Sequence, residues 1–288
     1  MMGGEPAEPS QSTAPVMIGS SREIGLRTAS GLVMAAIAGV ALYMGGLPFA
    51  VLGAVVGVLT SFEWSRIVRD GAIDAALVVQ VFAVVIAAAL AWLGLTALAI
   101  AAVIAGCILT GLLCFQRRPL LSAEGVLYAG LPVVALIWLR EDQPHGFAAA
   151  LLVLIAVVAT DVAAFLFGRL IGGPKLAPAI SPNKTWSGFL GGISTAGLAA
   201  AGFAHTIGAE PLMVGIAGVF LGVVAQIGDL TESALKRSFG VKDSGHIIPG
   251  HGGIMDRIDG LVFAAVAAGF VALALDPQAP ARALLFGG

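Results

Sequence analysis

Nine long apolar stretches divide this chain, and they limit what it can fold into more than any other feature. A helix needs about 20 apolar residues to cross the roughly 30 Å hydrocarbon core of a bilayer, and a backbone inside lipid must satisfy its own hydrogen bonds. The sequence therefore predicts an all-α, polytopic integral membrane bundle of about nine transmembrane helices. The predicted spans are 29–46, 47–63, 75–94, 96–115, 123–139, 147–168, 187–208, 211–228 and 259–275.

Charged residues are scarce in this chain. They make up 11% of it, whereas hydrophobic residues make up 58%. Soluble domains usually carry about a quarter charged residues, so a soluble domain is excluded. The net charge of −2 also argues against a nucleic-acid partner, which would favour a broadly basic surface.

The positive charges indicate how the spans are oriented. Cytoplasmic loops hold an excess of Lys and Arg. If the nine spans start with the N-terminus in the cytoplasm, all but two of the 15 Lys and Arg residues fall on the cytoplasmic side, the exceptions being Arg140 and Arg282. The sequence therefore predicts a cytoplasmic N-terminus, and its Ala-, Gly- and Val-rich composition is typical of a bacterial inner (cytoplasmic) membrane protein.

Three regions are predicted along the chain. Residues 1–20 are rich in Gly, Pro and Ser and lack the pattern of a cleavable signal peptide, so they are expected to be a disordered cytosolic tail. Residues 21–145 form the N-terminal transmembrane helices and residues 146–288 the C-terminal region. The two longest segments between spans, 169–186 and 229–258, belong to this second region and fall on the predicted cytoplasmic side, so we expect the chemistry there.

The segment from Asp229 to Asp259 gathers nine charged residues. Asp229 and Glu232 continue the helical spacing of the eighth span, and Asp256 lies one helical turn before Asp259 at the start of the ninth. Acids near hydrocarbon are costly unless they pair or bind something. Carboxylates from two helix ends favour a hard cation such as Mg²⁺, although ordinary helix capping by Asp256 and Asp259 is the structural alternative. The interleaved basic residues suit phosphate oxygens: Lys236, Arg237, Lys242 and Arg257.

A zinc site in the same segment is disfavoured. His246 and His251 are five residues apart in a Pro- and Gly-rich loop, with no cysteine nearby and no HExxH helix. Zinc sites usually combine three or four His and Cys or carboxylate ligands. Hydrogen bonds to phosphate, or to the loop itself, are the better interpretation of these histidines.

A second polar segment lies upstream. Asp161 falls within the sixth span, where a carboxylate either has a function or pairs with a basic residue. SPNKTW, from Ser181 to Trp186, is predicted to be a loop that runs into a helix start. Ser181, Lys184 and Thr185 are therefore candidates either for binding phosphate or for a simple helix cap.

These two segments together resemble a known family. Ser233 to Asp259, SALKRSFGVKDSGHIIPGHGGIMDRID, is similar to the signature of the phosphatidate cytidylyltransferases, also called CDP-diacylglycerol synthases. Residues 160–192, TDVAAFLFGRLIGGPKLAPAISPNKTWSGFLGG, are similar to the family's Asp on a membrane helix followed by Ser-Pro-x-Lys-Thr. Phe165 stands where the family often has Tyr, so any role of that hydroxyl is absent here.

The resemblance implies that CTP and phosphatidic acid react to give CDP-diacylglycerol and pyrophosphate, at a site facing the cytoplasm. It implies Mg²⁺ as the cofactor and leaves open whether a second metal ion is bound. Asp229, Asp256 and Asp259 are implied as metal ligands, and together with Lys236 as the catalytic residues. The residues implied to bind substrate phosphates are Ser181, Lys184, Arg237, Lys242, His251 and Arg257.

Two other functions stay open at this point. A CTP-dependent polyprenol or lipid kinase would transfer the γ-phosphoryl group and release CDP instead of pyrophosphate. A transporter of anionic solutes would place acids and bases in several spans, ideally within internal repeats. Only Asp161 is a candidate for a deep charge, which argues against transport.

Small residues spaced four apart favour close helix packing. Gly53 and Gly57 form one such pair, and Gly218 and Gly222 form another. The spacing is compatible with packing inside one chain and with packing between two copies, so a homodimer stays open.

Overall fold

The computed structural model describes residues 21–71, 73–245, 247 and 252–287, and its architecture is a helical bundle with one small hairpin. The predicted tail 1–20 lies outside these residues. An antiparallel hairpin of β1 (Lys175–Ala177) and β2 (Ser181–Thr185) separates the sixth and seventh helices. The helices of the described chain are α1 (Ser21–Met44), α2 (Gly46–Val68), α3 (Ala75–Trp92), α4 (Thr96–Leu113), α5 (Pro119–Glu141), α6 (Gly146–Leu170), α7 (Trp186–Ile207), α8 (Pro211–Ser238), α9 (Met255–Leu275) and α10 (Pro280–Phe286).

Eight of the described helices, α2 to α9, are long and apolar enough to cross a membrane. The apolar part of α1, Ala29–Met44, is shorter. The prediction of an all-α integral membrane bundle is therefore confirmed. The count of nine spans, the cytoplasmic N-terminus and the boundary at residue 145 stay predictions.

Helices α8 and α9 reach further into the charged segment than expected. The eighth span was predicted to end at 228, but α8 continues to Ser238, and α9 begins at Met255 instead of 259. Lys236 and Arg237 lie in the last turn of α8, where cations interact favourably with the helix dipole and so extend the helix. Asp229, Glu232, Lys236, Asp256 and Asp259 therefore lie on helices and not in a loop.

The segment before α7 also corrects a prediction. Ser181–Thr185, expected as a loop, is the strand β2, in which Thr185 pairs with Lys175 of β1. The helix start that was predicted after it is present, because the Thr185 hydroxyl accepts a 3.1 Å hydrogen bond from the Gly188 N–H. This N-cap fixes β2 directly against the first turn of α7.

Glycines let the helices approach closely inside the chain. A Cβ on Gly57 would lie 2.6 Å from a methyl group of Val84, and one on Gly53 would lie 3.2 Å from Val133. A Cβ on Gly222 would lie 2.7 Å from Thr160 Oγ1. Both glycine pairs singled out in the sequence therefore pack against other helices of the same chain.

The ends of α2, α8 and α9 meet at one end of the bundle. Trp64, Ile67 and Val68 of α2 form a buried cluster with Met255 of α9, and Phe239 after α8 packs against it. We call this the site end of the bundle, because the charged residues of α8 and α9 lie there.

Candidate active site

Helices α8 and α9 cross at two glycines, and this contact brings their acidic residues together. A Cβ on Gly228 of α8 would lie 2.6 Å from the Asp259 carbonyl oxygen, and one on Gly260 of α9 would lie 3.3 Å from Ala225. Only glycine allows so close an approach of the two backbones. Asp229 and Asp259, each next to one of these glycines, are placed on adjoining helix surfaces as a result.

Lys184 lies at the centre of the first group of charges, which we call the Lys184 cluster (Asp161, Lys184, Asp229 and Asp259). The Lys184 Nζ atom lies 2.5 Å from Asp229 Oδ2 and donates a 3.2 Å hydrogen bond to Gln226 Oε1. Asp259 lies within electrostatic range of Lys184, Asp229 and Asp161. One lysine thus lies among three carboxyl groups, more than its single charge can pair.

A pocket of about 540 Å³ opens beside this cluster. Its polar wall comes from Asp161, Lys184 and Asp229, and Phe165 and Phe189 contribute to its apolar wall. Pockets that combine a few charged groups with apolar walls suit amphiphilic ligands. The hairpin, α6, α7 and α8 all contribute to it, so the upstream polar segment predicted from sequence shares this pocket with α8.

Lys236 lies at the centre of the second group, the Lys236 cluster (Glu63, Glu232, Lys236, Ser244 and Asp256). Its Nζ atom lies 2.6 Å from Glu232 Oε2 and 2.5 Å from Asp256 Oδ1. Asp256 also accepts hydrogen bonds from the Gly253 N–H at 2.9 Å and from the Ser244 N–H at 3.1 Å. Asp256 is therefore fully engaged, whereas Glu232, 1% exposed, has an Oε1 atom with no hydrogen-bond partner among the described residues.

Glu63 of α2 is a member of the Lys236 cluster that was left without a role in the sequence reasoning. It is 2% exposed, and its two oxygens accept hydrogen bonds from the Ile254 N–H at 2.9 Å and the Met255 N–H at 2.8 Å. These N–H groups belong to the start of α9, where helices leave donors unpaired. The available signal was a carboxylate at the end of the second predicted span, since acids near hydrocarbon are costly unless they pair or bind something.

The other residues predicted to bind phosphate belong to neither cluster. Ser181 opens β2 and is not among the described residues that line the Lys184 pocket. Arg237, Lys242 and Arg257 are exposed. His251 and His246 lie outside the described residues, so their predicted roles stay predictions.

The clusters offer oxygen ligands, the kind that Mg²⁺ prefers. Within the described ranges, no three His, Cys, Asp or Glu side chains converge as a ready-made metal-binding group. The donor chemistry nevertheless fits a hard cation, because Asp161, Asp229 and Asp259 exceed the single charge of Lys184. Asp259 accepts a 2.8 Å hydrogen bond from the Gly260 N–H, and no ion pair ties it to a lysine or arginine among the described residues.

The sequence of this chain is similar to a known protein family and to several of its members. A model of the cytidylyltransferase family matches residues 25–275. A phosphatidate cytidylyltransferase from Brucella melitensis is 38% identical over 238 residues, which cover 77% of this chain and 83% of the relative. A phosphatidate cytidylyltransferase from Staphylococcus saprophyticus is 43% identical over 141 residues, which cover 48% of this chain and 53% of the relative.

Proposed function

Because this chain belongs to the cytidylyltransferase family, we propose that it transfers the cytidylyl group of CTP to phosphatidic acid. The products are CDP-diacylglycerol, a precursor for phospholipid synthesis, and pyrophosphate. In this reaction a phosphate oxygen of the lipid attacks the α-phosphorus of CTP and forms a new P–O bond. The α–β phosphoanhydride bond breaks, and its electron pair leaves with pyrophosphate.

The observation that carries the proposal is the position of two lysines in one membrane bundle: Lys184 in strand β2, paired with Asp229 of α8, and Lys236 in the last turn of α8. Each lysine is held by carboxylates at 2.5 Å. Both substrates are polyanions, so their approach depends on neutralised charge and on alignment more than on a covalent intermediate. Lysines held in place by carboxylates present donors to phosphate oxygens without a further loss of side-chain freedom.

In this proposal each cluster binds one of the two substrates. The phosphate of phosphatidic acid lies at Lys184, because the pocket there has the aromatic walls that suit an acyl glycerol. The triphosphate of CTP lies at Lys236, next to the glycines of the signature segment. Arg237, Lys242, His251 and Arg257 hold its outer oxygens. Ser181, also predicted to bind phosphate, does not line the Lys184 pocket and is given no part in lipid binding.

Asp229 and Asp259 are the residues proposed to hold Mg²⁺. Asp256, the third ligand predicted from the sequence, is paired with Lys236 here and would have to release it to join them. When bound, Mg²⁺ neutralises charge on the phosphates and on the leaving pyrophosphate. Asp256 accepts hydrogen bonds from the Lys236 ammonium and from the Ser244 N–H, and so keeps both residues in place.

A site at the cytosolic face of the inner membrane is part of the proposal. All the catalytic candidates lie at the site end of the bundle, and the excess of Lys and Arg in the segments at that end supports a cytoplasmic location. There the enzyme meets a lipid that stays in the bilayer and a nucleotide dissolved in the cytosol.

The test uses purified protein in detergent with labelled CTP, phosphatidic acid and Mg²⁺, and follows the lipid product and the released phosphate together. CDP-diacylglycerol with pyrophosphate, abolished by EDTA and restored by Mg²⁺, is the expected result. Asp256→Asn should lower kcat at least about a hundredfold. Asp276→Asn, at the other end of the same helix, is the matched control. Release of CDP with a phosphorylated lipid would identify a kinase instead.

A further inference from the structure

A second pocket lies at the site end, away from the two lysine clusters. It has a volume of about 870 Å³ and is formed where α2 runs into α3 and where α4 runs into α5. It shares no lining residue with the Lys184 pocket. Three arginines line it, namely Arg69, Arg117 and Arg118, and none of them has a role in the proposed reaction.

Arg69 supplies a buried donor that is not used. The residue is 8% exposed; its Nε atom lies 3.4 Å from Asp74 Oδ2 and its Nη2 atom 3.4 Å from Gln80 Oε1. Its Nη1 atom has no hydrogen-bond partner in the described part of the chain. A buried donor without a partner is costly and rare in proteins, so an acceptor from a ligand is the natural complement.

Arg118 is held in the wall of this pocket by its own contacts. Its Nη1 atom donates a 3.2 Å hydrogen bond to the Val68 carbonyl, and its guanidinium lies 4.5 Å from the centre of the Phe239 ring. It is also the N-cap of α5, which has no side-chain cap. The positive end of a helix dipole thus adds to the guanidinium charges.

Arg117 is exposed, and it forms no ion pair with any residue that the structure describes. The two acidic residues of the pocket do not cancel this charge. Asp74 already accepts a 2.8 Å hydrogen bond from the Leu77 N–H and faces Arg69, and Asp70 is exposed at the rim. The pocket therefore favours an anion. A phosphate is well suited, because one guanidinium group can donate two parallel hydrogen bonds to two phosphate oxygens.

Apolar side chains beside the arginines narrow the choice of ligand. Leu112, Leu113 and Phe115 also line the pocket, and Leu112 and Phe115 are 65% and 76% exposed. Such a surface gains nothing from a small soluble anion, whereas acyl chains would pack against it and remove its apolar side chains from water. Basic pockets between membrane helices are suited to the head groups of anionic lipids.

We propose that this pocket binds an anionic phospholipid, with its phosphate on Arg69, Arg117 and Arg118 and its acyl chains along the end of α4. It is a lipid site separate from the one at which the substrate reacts. The proposal does not depend on the proposed function, because binding is measured without CTP and without turnover.

The experiment uses phosphatidylglycerol as the probe, because this anionic lipid has the phosphate diester without the free monoester of the substrate. Native mass spectrometry of the full chain counts the lipid retained from micelles that mix phosphatidylglycerol with phosphatidylcholine. Arg117→Gln and Arg117→Glu should weaken retention of one phosphatidylglycerol at least about tenfold. Arg66→Gln removes a charge from the same end of α2 without touching the pocket, and should retain the lipid as the unmodified chain does.

Two results would overturn the proposal. Equal retention of phosphatidylglycerol by the Arg117 variants and by Arg66→Gln would mean that the pocket holds no lipid head group. Displacement of phosphatidylglycerol by inorganic phosphate at equal concentration would mean that the site takes a soluble anion and that the apolar wall contributes nothing.

Discussion

Glu63 and Ser244 lie 181 positions apart in sequence, and the Ser244 hydroxyl donates a 2.9 Å hydrogen bond to Glu63 Oε2. The same hydroxyl lies 3.0 Å from Asp256 Oδ2. Glu63 also accepts hydrogen bonds from the Ile254 and Met255 N–H groups at the start of α9. Helix α2, which carries no predicted catalytic residue, therefore helps to position Asp256, and Asp256 in turn holds Lys236.

We expect Glu63→Gln to lower kcat more than it changes KM. The glutamine amide has the same size as the carboxylate, but its NH₂ group replaces one of the two acceptor oxygens. One backbone N–H at the start of α9 then loses its acceptor, and a buried unpaired donor costs about 1–3 kcal/mol of folding free energy. Glu124→Gln makes the same chemical change at an exposed position of α5 and should leave kcat unchanged. Steady-state kinetics with both substrates measure the effect, and an unaltered kcat in Glu63→Gln would show that α9 needs no such anchor.

Lys236→Met should abolish turnover and lower the melting temperature. Glu232, which is buried, and Asp256, which is partly buried, lose their cation in this variant, and an unpaired buried charge is strongly destabilising. Adding Glu232→Gln should restore much of the melting temperature but not the activity. If the double variant regains turnover as well, Lys236 is a structural counter-ion and not a phosphate-binding residue.

Lys184→Ala should raise the KM for phosphatidic acid more than the KM for CTP, because its pocket is assigned to the lipid. Lys184→Arg should recover part of the loss. Lys175→Ala, in the facing strand of the same hairpin and exposed, controls for the fold of the hairpin. Kinetics in mixed micelles with varied lipid fraction separate the two KM values, and a selective change in the KM for CTP would reverse the assignment of the two clusters.

Gly222→Ala should destabilise the bundle by about 1–3 kcal/mol, the usual cost of overpacking. The new Cβ would lie 2.7 Å from Thr160 Oγ1, and that hydroxyl is already bonded to the Ala156 carbonyl at 2.7 Å. Gly202→Ala, on α7 with open space around it, should be neutral or stabilising because alanine favours helix. Thermal unfolding in detergent measures both variants, and equal melting temperatures would disprove tight packing at Gly222.

The sequence predicted the features that depend on short-range spacing. The apolar stretches predicted a bundle of long helices, and eight of the described helices are apolar enough to cross a membrane. The helical spacing of Asp229 and Glu232, and of Asp256 and Asp259, predicted acids at the ends of two neighbouring spans. The signature segment predicted the family. These inferences need only neighbours along the chain, and helix periodicity supplies those.

The sequence did not predict the features that depend on distant partners. Glu63 was given no role, because its partners Ile254 and Met255 lie on a helix that packs against it only in the folded bundle. Lys236 was assigned to phosphate, and its pairing with Glu232 and Asp256 was not foreseen. The hairpin of β1 and β2 was read as a loop, since strands of three and five residues leave almost no periodic pattern.

The contact between Glu63 and Met255 also sets an order of events during synthesis. The two residues are separated by 192 positions, so at about 5–20 residues per second the ribosome needs roughly 10 to 40 s to supply the partner. Until α9 arrives, Glu63 is a carboxylate on a membrane helix without its N–H donors, and Lys236 lacks Asp256. A chain that stops before α9 lacks Asp256 and therefore cannot assemble the Lys236 cluster.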